Sequence, residues 1–116
     1  MTYEELNTLI SGFGLPYAYN EFPDGTEQEP PFICFLFGDS SSDLMADNMN
    51  YQPIRPLSIE LYTENKDFNL EMIIEAGLTA AGLAFVRSET YLGSERMYQI
   101  VYDTTIILTQ EEILNV

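Results

Sequence analysis

The stretch from Leu57 to Glu89, LSIELYTENKDFNLEMIIEAGLTAAGLAFVRSE, reads as strand, helix, strand, and the rest of the chain is arranged around it. Leu57, Ile59 and Leu61 alternate with Ser58, Glu60 and Tyr62, the period-two pattern of a half-buried strand. The polar run Thr63 to Lys66 interrupts it, and Asp67 stands where a carboxylate accepts hydrogen bonds from the first free N–H groups of a helix. From Phe68 to Ala81 the residues Leu70, Ile73, Ile74, Leu78 and Ala81 fall at helical spacing, with Gly77 on the same face. Glu71 and Glu75 are expected to point away from that stripe. Gly82 suits the left-handed position that ends a helix, and Leu83-Ala84-Phe85-Val86 returns at once to β-type sequence. A helix with one apolar stripe does not stand alone, so it must lie across the sheet its flanking strands help to form.

Outward from this unit, the pattern continues on both sides. Upstream, Thr2 to Ser11 reads as a first helix: Thr2 followed by Glu5 fits a capping box, and Leu6, Leu9 and Ile10 make its stripe. Gly12 and Gly14 stop it, and Pro16 to Tyr19 is an extended segment that adds at most a minor strand. After the acidic, Pro-rich loop Asn20 to Pro31, the run Phe32 to Phe37 is apolar on both faces, as expected of a strand covered on both sides. A chain this short supplies a second covering layer with difficulty, so a neighbouring subunit is the natural cover. Gly38 to Asn50 is a long polar loop, a length associated with function or mobility. Pro53 and Pro56 fit a strand entrance or a sheet edge.

Downstream, Phe85 to Leu92 and Met97 to Leu108 flank the turn Gly93-Ser94-Glu95-Arg96 as a hairpin. Tyr98, Ile100, Tyr102, Ile106 and Leu108 share one face of the last strand. Unbroken, that strand runs roughly 40 Å at about 3.3 Å per residue, long enough to call for a bulge or an end that projects to a partner. The tail from Gln110 to Val116 has room for a short turn. The order is αββαββ. The predicted fold is a single α+β domain over residues 1–116, with a mostly antiparallel sheet of about four strands and both helices on one face.

Charge is the dominant compositional fact. Nineteen acidic residues face four basic ones (Arg55, Lys66, Arg87, Arg96), a formal charge of −15, which opposes binding to nucleic acid and to anionic membranes. The 46% hydrophobic and 13% aromatic content nevertheless argues for a folded chain over a disordered acidic tail. No apolar run approaches the roughly 20 residues needed to span a bilayer. The acidic start Met-Thr-Tyr-Glu-Glu is unlike a signal peptide, so a cytosolic protein is expected. The single Cys34 excludes an intrachain disulfide and, inside an apolar strand, reads as a small buried hydrophobe.

Catalytic chemistry is poorly provided for. The chain has no histidine, which removes Ser–His and Cys–His nucleophilic pairs and every imidazole-based metal site. Gly12-Phe13-Gly14 follows a helix instead of opening one and has no lysine, so it does not cradle phosphate. Asp39, Asp43 and Asp47 recur every four residues but lack calcium-loop spacing and its terminal bidentate Glu. The expectation is no catalytic residue, no cofactor and no metal. Contact residues are the better candidates. Arg55, Arg87 and Arg96 suit bidentate pairing with carboxylates, across a subunit contact or within one subunit. Met45 and Met49 in the long loop suit an adaptable contact. Tyr98, with Tyr91, Tyr102 and Met97, suits either an interaction surface or the rim of a sheet.

Three strings also carry a resemblance. Glu60-Leu61-Tyr62-Thr63-Glu64-Asn65-Lys66-Asp67 with the helix after it, Gly82-Leu83-Ala84-Phe85, and Glu89 to Ile100 (ETYLGSERMYQI) are similar to a family of small prophage proteins of Gram-positive bacteria. Leu15-Pro16-Tyr17-Ala18-Tyr19-Asn20 and Pro30-Pro31-Phe32-Ile33-Cys34 extend the similarity over nearly the whole chain. Such proteins resemble the tail terminators and head–tail joining components of long-tailed phages. The resemblance implies a small α+β subunit that forms a ring, typically a hexamer, at the end of the tail tube. That ring stops tube growth and meets the head connector, so the implied partners are other copies, the tube protein and the connector. The implied location is the bacterial cytoplasm during assembly and then the virion. A different class also accommodates the composition: an acidic monomeric binding module acting as a DNA mimic or a host-directed regulator. A mimic would gather carboxylates on one face, whereas a ring subunit would spread them. A small enzyme ranks last because histidine is missing.

Overall fold

The computed structural model describes residues 1–23, 28–38 and 54–108. In chain order the elements are α1 (Tyr3–Ser11), β1 (Tyr17–Tyr19), β2 (Phe32–Phe37), β3 (Ile54–Thr63), α2 (Phe68–Ala80), β4 (Phe85–Leu92) and β5 (Met97–Ile107). The strands form one sheet in the order β1-β2-β3-β5-β4. The architecture is α+β, with five strands where the sequence predicts about four. Three of the four strand pairings are antiparallel; β1 runs parallel to β2. The extra strand is β1, only three residues long. It pairs through Tyr17↔Ile33 to Tyr19↔Phe35, and its aromatic rings pack on Phe35.

The helix ends follow local chemistry. In α1 the Thr2 hydroxyl accepts from Glu5 N at 3.0 Å, and the Glu5 carboxylate accepts from Thr2 N at 2.9 Å, a complete capping box. Asp67 caps α2 by accepting from Leu70 N at 3.0 Å. At the other end Gly82 sits at φ +80°, and Leu83 N donates back to Leu78 O at 2.9 Å while Gly82 N donates to Thr79 O. This is the paired closure in which a left-handed residue without a Cβ satisfies the last carbonyls.

Directly paired residues share a face, so the register divides the sheet in two. One face carries the rows Ile33–Leu61–Ile100, Phe35–Ile59–Tyr102 and Phe37–Leu57–Thr104. Leu6 and Ile10 of α1 and Ile74 and Leu78 of α2 join these in one core, all at most 1% exposed apart from Phe35, Phe37 and Thr104. Both helices therefore lie on one face, as predicted. Just past the end of α1, Phe13 packs against Gly77 of α2, where a Cβ would stand 2.7 Å from the ring.

The opposite face has no helix over it among the described residues. It is mixed: Ser58 and Asp103, Glu60 and Val101, and Tyr62 and Gln99 face each other across β3 and β5. Above β2 its cover comes from its own chain. Phe32 stacks on Tyr62 with ring centroids 4.8 Å apart, and Phe22 meets Phe32 edge-on at 5.4 Å. Cys34 on this face is 4% exposed and is the buried small residue the sequence predicts. On this side of the strand Cys34 is thus buried within the chain, while Phe32 and Leu36 stay half-buried.

The last strand needs neither a bulge nor a projecting end. β5 pairs with β3 without interruption from Tyr98↔Thr63 to Ile107↔Ile54, because β3 itself extends to ten residues. Pro56 lies within β3, not at its entrance. Its carbonyl accepts from Gly38 N just beyond the end of β2, so its missing N–H falls where the β2 ladder has stopped.

Candidate functional site

The sheet rows end in charge at β4. Arg87 pairs with Tyr102 and Glu89 with Ile100, so both side chains lie on the helix-covered face at the outermost strand. Inward-facing charges on an edge strand discourage pairing with stray strands. Here they also receive Glu71 from α2, which is 4% exposed. Glu71 Oε1 lies 2.5 Å from Arg87 Nη2, and its Oε2 lies 2.5 Å from Lys66 Nζ. Glu89 Oε1 accepts from both cations, at 2.5 Å from Lys66 and 2.7 Å from Arg87. Glu75 completes the group, 3.6 Å from Arg87 Nε and accepting from the buried Tyr102 hydroxyl at 2.9 Å. Two of the four basic residues are thereby engaged with carboxylates of their own chain.

This cluster corrects the reading of α2. Glu71 and Glu75 are expected to point away and both reach the cluster, while Ile73 and Ala81, expected in the stripe, are exposed, Ile73 at 57%. Residues 71, 74 and 78 lie on one helical face, and the cations of the preceding loop and of β4 make that face a favourable place for a carboxylate. The consequence is that the fully exposed residues of the helix are all uncharged. Phe68, Met72 and Ile73 are 67, 65 and 57% exposed, and Asn69, Ala76, Thr79 and Ala80 complete the exposed side of the helix. A helix apolar on its core face and on its solvent face is typical of one buried on both. Beneath Phe68 and Met72 a groove of about 520 Å³ runs along the cluster.

The contact residues picked from sequence do not converge. Arg87 is in the cluster. Tyr98 stands nearby: its ring meets Tyr91 at 4.9 Å, and Lys66 Nζ lies 6.0 Å from its centroid. Arg96 is exposed in the β4–β5 turn at φ +54°. Arg55 is half-buried towards the far end of β3, opposite Ile106, and its Nε has no hydrogen-bond partner among the described residues. Met45 and Met49 lie outside the described residues, as do Asp39, Asp43 and Asp47 and the tail turn. Sequence reasoning missed Lys66, Glu71 and Glu89. The only signal was the close approach of opposite charges in Lys66 and Glu71, which spacing alone cannot aim.

Two buried acids, Cys34 and Tyr102, and the half-buried Tyr62 are displaced upward. Burial, reinforced by Glu60 and Glu21, pushes the Cys34 thiol up to about 11. Burial and the hydrogen bond to Glu60 push the Tyr62 hydroxyl up to about 12. Burial and the bond to Glu75 raise Tyr102 as well. Lys66 is also raised: burial alone would lower it, but its hydrogen bonds to Glu71 and Glu89 prevail. A group whose folded pKa exceeds its unfolded one stabilises the fold fully below the unfolded value and loses that contribution as pH rises through the folded one. All four act in the same direction. The urea midpoint is therefore expected to hold up to about pH 9 and to fall between pH 9 and 12, with a loss of at least about 2 kcal/mol by pH 11 at 1.36 kcal/mol per unit. A midpoint unchanged from pH 8 to 11 would contradict this.

Among the described residues no group of three His, Cys, Asp or Glu side chains is placed to hold a metal, and no helix is long and apolar enough to cross a membrane. No family model, curated protein or solved structure matches the chain.

Proposed function

We propose that this chain is a structural subunit of a (pro)phage virion, a tail terminator or head–tail joining protein that assembles into a ring at the end of the tail tube. The observation that carries the reading is the solvent side of α2. On a chain of −15, it exposes Phe68, Met72 and Ile73 together, bordered by the charged cluster, with Lys66 Nζ 5.0 Å from the Phe68 ring. Exposed apolar surface of this kind, rimmed by polar residues, marks contact with another protein. The sequence resemblance supplies the setting, and the acidic exterior suits a lumen through which DNA passes without adhering. A DNA mimic is the weaker reading. Glu71, Glu75 and Glu89 are engaged by Lys66 and Arg87 instead of being presented, and Glu60 and Asp103 lie on the other face of the sheet.

The test is to grow tail tubes from the tube protein of the phage that encodes the chain, with and without it, and to view them by negative-stain electron microscopy. The expected result is tubes of limited length with a ring at one end. Tubes of unchanged length with bare ends would overturn the reading.

A further inference from the structure

The two edges of the sheet are built differently. β1 is three residues long, and so short an edge offers little backbone to pair with. β4 is eight residues long, and Val86 to Tyr91 within it are all exposed. Among the described residues only β5 pairs with it, so the backbone groups along its outer side have no ladder. It contains neither proline nor glycine. Its one device against pairing is the charge of Arg87 and Glu89, which excludes a strand that fails to answer those charges and admits one that does.

The sequence of β4 answers itself. From Phe85 to Tyr91 it reads FVRSETY, symmetric in residue type about Ser88: aromatic, β-branched, basic, serine, acidic, β-branched, aromatic. We infer that two copies join edge to edge along β4, antiparallel and centred on Ser88, merging two five-stranded sheets into one with the helices of both on the same side. In that register Arg87 of each copy stands opposite Glu89 of the other, Val86 opposite Thr90, and Phe85 opposite Tyr91. Opposite charges and aromatic pairs placed directly across two strands stabilise them, and like charges there do the reverse. Moving the centre by one residue sets Arg87 against Arg87 or Glu89 against Glu89, so charge selects one register. Both side chains are 33% exposed even within the cluster, so each keeps surface for the partner. The contact is isologous and closes at two copies, which makes it separate from the head-to-tail contact a ring needs.

Cysteine cross-linking reads the register. Ser88→Cys sets two thiols opposite each other across the two-fold axis, at a Cα separation of about 4.5–5.5 Å that a disulfide spans. Val86→Cys and Thr90→Cys face each other's position, and each lies four residues, roughly 13 Å, along the strand from its own counterpart. All three sites are exposed, and the wild type, with Cys34 4% exposed, is the control. Under mild oxidation Ser88→Cys is expected to give a covalent dimer of twice 13.2 kDa on a non-reducing gel. Val86→Cys and Thr90→Cys are expected to stay single alone and to cross-link when mixed.

Light scattering on a size-exclusion column, over a concentration series, gives the mass of the unlinked protein. The wild type is expected to be a dimer. Val86→Lys with Thr90→Lys reduces the net charge yet sets lysines against each other twice, and is expected to raise Kd at least about tenfold. Val86→Lys with Thr90→Glu pairs them and is expected to stay dimeric. Circular dichroism and thermal melting check that each variant is folded. Three results would overturn the inference: a wild type monomeric throughout, Ser88→Cys linking no faster than Val86→Cys or Thr90→Cys, or a dimer indifferent to charge at residues 86 and 90. Tube capping tests the ring reading separately.

Discussion

Replacing Glu71 by alanine is expected to lower the unfolding free energy by about 2–4 kcal/mol. Removing one partner of a buried ion pair costs about 3–5 kcal/mol, because the charge left behind has lost both water and its counter-charge. Two features moderate the cost here. The Lys66 and Arg87 side chains are 20 and 33% exposed, so water reaches both, and Glu89 remains bound to each. Glu71 itself is 5% exposed at the side chain, and nothing replaces its two oxygens. The loss is a large share of the stability of an ordinary domain, about 5–15 kcal/mol. Urea titration at pH 7 measures it. A change below about 1 kcal/mol would mean that the cluster is solvated like an ordinary surface pair.

The second large effect separates two adjacent isoleucines. Ile74→Ala is expected to cost about 2–5 kcal/mol, as for other fully buried aliphatic truncations, because the side chain is 0% exposed between α2 and the sheet. Ile73→Ala is expected to change the isolated subunit by no more than about 0.5 kcal/mol, the range for surface sites. Both residues belong to the apolar stripe as read from spacing, so the pair tests which way the helix is rotated. Equal losses at the two positions, measured at a concentration where the wild type is monomeric, would refute the orientation of Glu71 and Met72 together.

What the sequence alone determined is what neighbouring residues decide among themselves. The capping box of Thr2 and Glu5, Asp67 at the start of α2, Gly82 at its end and the turn between β4 and β5 involve groups within a few residues of one another. The common face of Tyr98, Ile100, Tyr102, Ile106 and Leu108 follows from the two-residue repeat of a strand. These readings also carried the α+β class and the placing of both helices on one face.

Tertiary structure decided the rest, because it turns on which distant group stands opposite. β1 is a strand only because Phe32 to Phe37 offers it a free edge; three residues carry no periodicity of their own. β5 runs straight because β3 matches its length, and Pro56 is tolerated within β3 because β2 ends beside it. The aim of Glu71 is the clearest case. Spacing sets it, with Glu75, off the apolar stripe and sends it to solvent. The fold brings Lys66 and Arg87 beneath it and turns it inward, so that Phe68, Met72 and Ile73 take the outside. A helical repeat states which residues share a face; only the surrounding charges and surfaces determine which face meets water.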